Sequence, residues 1–398
     1  MNKIAGADRL IRLSQRGRVE PFIAMDVLAE ANRLQAEGRT ILHLEVGQPS
    51  TKAPALVLEA AARALQAEKL GYSDALGMPA LRRRIARHYA DSYGVEVSPD
   101  QVAVTTGSSG GFILSFLACL DHGQSIALPM PGYPAYFNIL DALGINVVPL
   151  ETTASTRWMP DIAMLERAMT AQPFQALLVA SPANPTGTML SRDMLRDIVG
   201  WCEANGVWFI SDEIYHGLTY DEPASTAAEF GRNAIVINSF SKYYSMTGWR
   251  VGWMVLPEQI VRSVECLAQS LFISVPALSQ IAAASAFDAT EELEANKAVY
   301  AANRTLLQRR LPEIGISEVL PMDGAFYAYC GIGHLTNDSM DFARRLLREA
   351  GVACTPGLDF DRARGNRYVR LSFAGSHDEI SEALDRMQGW LSSGPTGG

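Results

Sequence analysis

Lysine is scarce in this chain. There are five, Lys3, Lys52, Lys69, Lys242 and Lys297, against 29 arginines. A net charge of -9 leaves no broad basic face, which argues against general binding to nucleic-acid phosphates, although a local basic pocket for a small anion stays compatible. Cysteine offers no framework. Cys119, Cys202, Cys266, Cys330 and Cys354 are odd in number, widely spaced and form no C-x-x-C pair, so free thiols in a reducing compartment are expected. The six histidines show no metal-ligand spacing, and no metal is expected. No run of ~18 uncharged apolar residues provides a membrane helix. Met1 to Arg18 mixes charges and lacks the apolar core of a secretion signal, so the cytoplasm is the expected location. The longest low-charge stretch, Ser270 to Phe287, carries Ser, Gln and Pro and reads as a buried helix.

What remains is ordinary globular material, 48% hydrophobic and 19% charged over 398 residues. That length exceeds what one hydrophobic core usually serves, so two domains are expected. Apolar runs of strand length recur at Val102–Thr106, Ser125–Pro129, Asn146–Leu150, Ala176–Ala180, Val207–Ser211, Ala234–Asn238 and Val251–Leu256. Helix-like patterns such as Gly111–Leu120, Asp161–Thr170 and Met189–Asn205 fill intervals between the first six. This alternation predicts an α/β fold with a mostly parallel seven-stranded sheet covered on both faces. The short link between the last two runs predicts an antiparallel neighbour. Beyond Leu256 come long helices to Gln308, then strands at Gly324–Tyr329 and Arg367–Phe373 around a helix Ser339–Ala350, a smaller α+β unit. Residues 1–44 are expected to be an arm and helix (Ala24–Gly38) packing with that unit, 45–288 the large domain and 289–398 the small one. The Gly/Ser/Pro tail Ser392–Gly398 is expected to be mobile.

Ligands of such a sheet sit beyond the carboxyl ends of its parallel strands. There the sequence places Gly107-Ser108-Ser109-Gly110-Gly111 before a helix, a phosphate-cradle pattern that a simple Ser-capped turn would share. Tyr133 stands between Pro131 and Pro134, as a stacking ring or as ordinary packing. Asn184 lies in a proline-bounded turn. Asp212 ends a buried run and needs a partner, a pyridinium N–H, a helix N-terminus or the cation of a buried salt bridge, and Tyr215 follows three residues on. Lys242 alone among the lysines follows an apolar strand, where a desolvated amine can attack a carbonyl. Arg250, between Gly248 and Gly252, can hold a phosphate bidentately.

Ser239-Phe240-Ser241-Lys242, continuing to Gly248-Trp249-Arg250-Val251-Gly252-Trp253, resembles the S-x-S-K…G-x-R-x-G-W signature of fold type I pyridoxal-phosphate enzymes. Within them the chain is similar to the class I/II aminotransferases of the aspartate aminotransferase superfamily. Asn184-Pro185-Thr186-Gly187 and Asp212-Glu213-Ile214-Tyr215 match two further motifs, and the likeness runs from about Leu44 to Phe373.

The resemblance implies a pyridoxal 5'-phosphate cofactor and ping-pong transfer of an amino group from an L-amino acid to a 2-keto acid. Lys242 forms the Schiff base and shuttles the proton, Asp212 pairs with the pyridine nitrogen, and Asn184 and Tyr215 bond the phenolic oxygen. Ser108, Ser109, Ser239 and Arg250 bind the phosphate, and Tyr133 stacks on the ring. Tyr72 matches the tyrosine that crosses a dimer interface to the neighbour's phosphate, implying a homodimer with shared sites. Arg370, opposite in facing to Val369 and Leu371, clamps the substrate α-carboxylate beside Gly47. Asn184 belongs to the same substrate side. No counterpart is evident for the second arginine of dicarboxylate-specific relatives, and Phe22, Ile23, Tyr133 and Phe272 point weakly to a neutral or aromatic donor. A β-lyase on the same scaffold shares these residues. A cofactor-binding regulator would carry a basic DNA-binding domain, whereas here the pattern starts near Leu44.

Overall fold

The structure is a computed structural model describing residues 13–393. Residues 1–12, within the charged N-terminal stretch, and 394–398, within the tail expected to be mobile, lie outside the described residues. The seven apolar runs form one sheet: β1 Val102–Thr105, β2 Ser125–Met130, β3 Asn146–Glu151, β4 Ala176–Ala180, β5 Trp208–Asp212, β6 Ala234–Ser239 and β7 Gly252–Val255, in the order β1-β7-β6-β5-β4-β2-β3. β6, β5, β4, β2 and β3 pair in parallel, and β7 runs antiparallel to both β6 and β1. The reversal has a functional result. The segment leaving β6 carries Lys242, and the segment entering β7 carries Arg250, so both arrive at one edge of the sheet.

Successive residues of these strands are buried on opposite faces. Val104, Leu177, Val236 and Trp253 pack on one side against the helices Pro79–Tyr93 and Arg192–Ala204. Ala103, Leu178, Ile237 and Met254 pack on the other against α2 (Gly107–Cys119) and α3 (Pro134–Leu143). Two covered faces explain why the runs read as continuous apolar stretches rather than alternating ones.

The smaller unit is an antiparallel sheet of Thr355–Pro356, Tyr368–Ser372, Tyr327–Gly331 and Glu318–Val319, with the helices Thr290–Glu313 and His377–Ser392. The first helix, α1 (Ile23–Ala36), sets Ala31 and Leu34 against Leu347 and Ala353. Leu42–His43 then pairs in parallel with Val352–Ala353, which carries the chain to the space between the two units.

Two expectations need correction. Ser270–Phe287 is not one helix. Glu258–Leu271 ends there, Ile273 turns with φ +65°, and Ala277–Ala286 starts anew after Pro276, a residue that cannot continue the preceding helix. The helix after β1 starts at Gly107 rather than Gly111, so Ser108 and Ser109 stand in its first turn, where backbone N–H groups lack helical partners.

Ile237 has no exposed surface and packs between the sheet and α2. Ile237→Ala is expected to cost about 2–5 kcal/mol of stability, read from urea unfolding.

Candidate active site

A cavity of about 170 Å³ opens where the carboxyl ends of the parallel strands meet the small unit. Lys242 and Asp212 stand at its centre, Ser108, Ser109 and Arg250 at one end, Arg370 and Gly47 at the other, with Tyr133, Asn184 and Tyr215 in the walls. Two expected residues stand elsewhere. Ser239 is buried behind the wall, its hydroxyl donating to Ser241 Oγ at 2.8 Å, and Ser241 lines the cavity in its place. Tyr72 is 85% exposed on the surface and touches none of the cavity. Of the apolar residues noted for a side-chain pocket, Phe22 lines the wall and meets Tyr133 edge-on at 5.7 Å, while Ile23 and Phe272 do not line it.

The Lys242 amine donates to the Gly47 carbonyl at 2.7 Å. Burial, then the positive charges of Arg370 and Arg250, push its pKa down to about 8, with Asp212 opposing. A buried amine among cations keeps a substantial neutral, nucleophilic fraction near neutral pH. Asp212 shows the opposite shift for the same reason: burial pushes it up to about 6, opposed by hydrogen bonds from the Tyr136 hydroxyl and the Ile214 amide and by the charge of Lys242. It therefore remains mostly ionised at neutral pH.

Arg250 sits at φ +52°, with its Nη1 donating to the Thr247 carbonyl at 3.0 Å. Gly107 makes room for it. A Cβ at that glycine, whose φ is +69°, would lie 2.5 Å from Arg250 Nη2. This end joins a guanidinium, two hydroxyls and the free N–H groups of a helix start, which is the donor set for a phosphate. At the other end Arg370, 3% exposed, gives Nη1 to Asn184 Oδ1 at 2.8 Å, gives Nη2 to the Glu45 carbonyl, and leaves Nε without a partner among the described residues. A buried guanidinium with a free donor is built for a carboxylate. Among the described residues no group of three or more His, Cys, Asp or Glu could hold a metal, and no helix is long and apolar enough to cross a membrane.

The family model for "Aminotransferase class I and II" matches residues 39–387. The chain belongs to that family. Valine–pyruvate aminotransferase of Mycobacterium tuberculosis is 50% identical over 387 residues, which is 96% of this chain and 99% of that protein. The crystal structure of an aminotransferase from Mycobacterium tuberculosis superposes with a TM-score of 0.94 at 49% identity, covering 96% of this chain and 100% of that one. The aspartate aminotransferase of Thermus thermophilus with maleate gives 0.90 at 30% identity, covering 95% and 99%. Of the activities weighed from the sequence, amino transfer is the one these relatives carry. The aminotransferase thus has the expected fold type and a family that works with pyridoxal phosphate.

The residues that pattern reading overlooked are supports rather than strand-end groups. Tyr136 donates to Asp212 from the first turn of α3, three residues after Tyr133, so its helical spacing was the available signal. The Tyr327 hydroxyl lies 2.8 Å from that of Tyr215, and a Cβ on Gly47 would overlap it, which is why that position is glycine. Glu45, two residues before Gly47, has a fully buried side chain.

Removing the hydroxyl in Tyr136→Phe deletes a bond that favours ionised Asp212. In the cofactor-free protein the Asp212 carboxyl is expected to titrate above about 6 in this variant, measured from its infrared carboxylate band across pH. Gly107→Ala crowds Arg250 and strains the backbone, and is expected to weaken cofactor retention roughly tenfold or more, read by dialysis against a cofactor-free buffer.

Proposed function

We propose that this cavity binds pyridoxal 5'-phosphate and transfers amino groups from a neutral, apolar L-amino acid to a 2-keto acid by a ping-pong course. The observation that carries the substrate class is the wall itself. Lys242, Arg250 and Arg370 are the cations among the lining residues. With Arg250 on a phosphate and Arg370 on the α-carboxylate, none is left for a side-chain carboxylate. Phe22, Ala24, Met25 and Ile214 supply apolar surface instead. The 50% identity with a protein named valine–pyruvate aminotransferase supports the same class.

Pyridoxal phosphate, when bound, supplies a carbonyl for the amine and a ring that withdraws electrons. The residues present suit it. Ser108, Ser109, Arg250 and the start of α2 would hold its phosphate, with Ser239 acting through Ser241. Asp212 would hold the pyridine N–H, Asn184 and Tyr215 the phenolic oxygen, and Tyr133 one ring face. Lys242 Nζ would take the proton from the substrate Cα and deliver it, on the same face, to what was the carbonyl carbon of the cofactor. Arg370, with Gly47 leaving space, orients the carboxylate so that the Cα–H bond faces Lys242. Phe22 and Met25 exclude water from that face.

We infer that the active form is a homodimer in which Tyr72 reaches the neighbour's phosphate end. Its 85% exposure supports this, as does an open groove of about 510 Å³ beside Thr247 and Arg250. The division into 1–44, 45–288 and 289–398 and a cytoplasmic setting belong to the same reading. The described cysteines are all free, in keeping with a reducing compartment.

Lys242→Ala is expected to lose the visible absorption of the bound cofactor and to lower kcat by more than a thousandfold, on the order of a missing catalytic base and nucleophile. A donor screen following conversion of the cofactor's absorption should rank valine-like amino acids above aspartate and glutamate. Equal rates with aspartate would overturn the substrate class. Sedimentation should give a dimer, with Tyr72→Phe binding the cofactor more weakly.

A further inference from the structure

Glu45 takes no part in the chemistry above, yet it holds an unusual place. It lies in the cavity wall with its side chain entirely out of water. Its carbonyl accepts from Arg370 Nη2 and from Thr355 Oγ1, the latter at 2.8 Å. Its carboxylate meets one cation among the described residues: Oε1 is 2.7 Å from His43 Nδ1, and Oε2 has no hydrogen-bond partner. The other nitrogen of His43 faces Gln35 Oε1 of α1 at 3.2 Å. Both ring nitrogens lie beside side-chain oxygens, and the doubly protonated imidazolium can donate to both.

A buried carboxylate without a counter-charge is costly, and it projects a negative field onto its surroundings. We propose that His43 and Glu45 are positioning residues for the substrate carboxylate. The charged imidazole neutralises Glu45, so that Arg370 meets the incoming anion with its positive field undiminished. The inference rests on the reading of Arg370 as the carboxylate clamp.

The sign of the pH effect follows. The hydrogen bond to Glu45 holds His43 above the ordinary imidazole range, with burial opposing and the charges of Glu45 and Glu379 assisting. Below that raised value the pair is neutral overall. As pH climbs through it, His43 loses its proton, the Glu45 carboxylate loses its counter-charge, and carboxylates bind less well. Lys242, pushed down to about 8, and Asp212, pushed up to about 6, share the cavity and titrate in the same window, so the effect of the pair is the part of the slope that Glu45→Gln removes. The other charged groups around the pair are Arg370 and Glu379, and burial pushes the Cys354 thiol up to about 12.

The test is calorimetric titration of the purified holoenzyme with 3-methylbutanoate, an unreactive carboxylate, at about pH 5.5 and about pH 8.5, either side of the imidazole range. Wild-type Kd is expected to rise roughly 3- to 10-fold with pH, the size of one partly screened charge at close range. Glu45→Gln should lose most of this rise and bind near the tight value, and His43→Gln should bind near the weak value at both pH values. A wild-type Kd that does not change, a Glu45→Gln variant with the wild-type slope, or a His43→Gln variant as tight as wild type at low pH would each overturn the proposal. Melting curves and cofactor absorption check that each variant folds. Glu45→Gln, which keeps the shape and the bond to His43, carries the test if His43→Gln does not. Arg370→Met should abolish binding at both pH values. If it does not, the clamp reading fails, whatever slope the other variants show.

Discussion

Lys242, Asp212, Arg370 and Glu45 all present charge or potential charge in one small, nearly dry space, and the arrangement around them answers that cost. An isolated ion taken from water is penalised heavily unless it is paired or changes its protonation. Lys242 takes the second course, since burial moves its amine toward neutrality while leaving it beside the Gly47 carbonyl. Asp212 takes the first, accepting bonds from Tyr136 and Ile214. Arg370 is spread over a side-chain amide, a carbonyl and two aromatic faces, those of Tyr327 at 4.4 Å and Phe360 at 4.8 Å. Each solution leaves some capacity unused, at the amine and at Arg370 Nε, and that unused capacity is what a substrate can engage.

The parallel sheet makes this crowding possible. Six strands point the same way, and one reversed strand returns the chain to the same edge from the opposite direction. Residues far apart in sequence, such as Ser108, Asn184, Asp212 and Lys242, thus converge from a helix start, a turn, a strand end and a second turn. Strand interiors stay free for packing, and strand ends stay free for chemistry.

Much of this was readable in the chain. Apolar runs bounded by glycine and proline marked the strands to within a residue or two, because strands covered on both faces cannot hide polar residues in their middles. Strand-end residues were readable for the same reason: Asp212 and Lys242 stand out against the apolar run before them. Supports such as Tyr136, Tyr327 and Glu45 were not, because their role depends on which side chains meet across units, and periodicity does not report that. Gly107 was recognised as a turn glycine, but not as the position that makes room for Arg250, since that contact spans two separate strand ends. The break at Pro276 was missed because low charge over a long stretch resembles one buried helix, even though proline marks where such a helix stops.

The link between Glu45 and Arg370 spans 325 positions, and that between Glu45 and Thr355 spans 310. A ribosome makes the chain from one end to the other, so the stretch bearing Glu45 emerges early and waits for nearly everything else before its partners exist. Ser108, Ser109, Lys242 and Arg250 belong to the middle of the message. The end of the cavity around Arg370 is therefore the last to have all its residues, an order set by position along the chain alone.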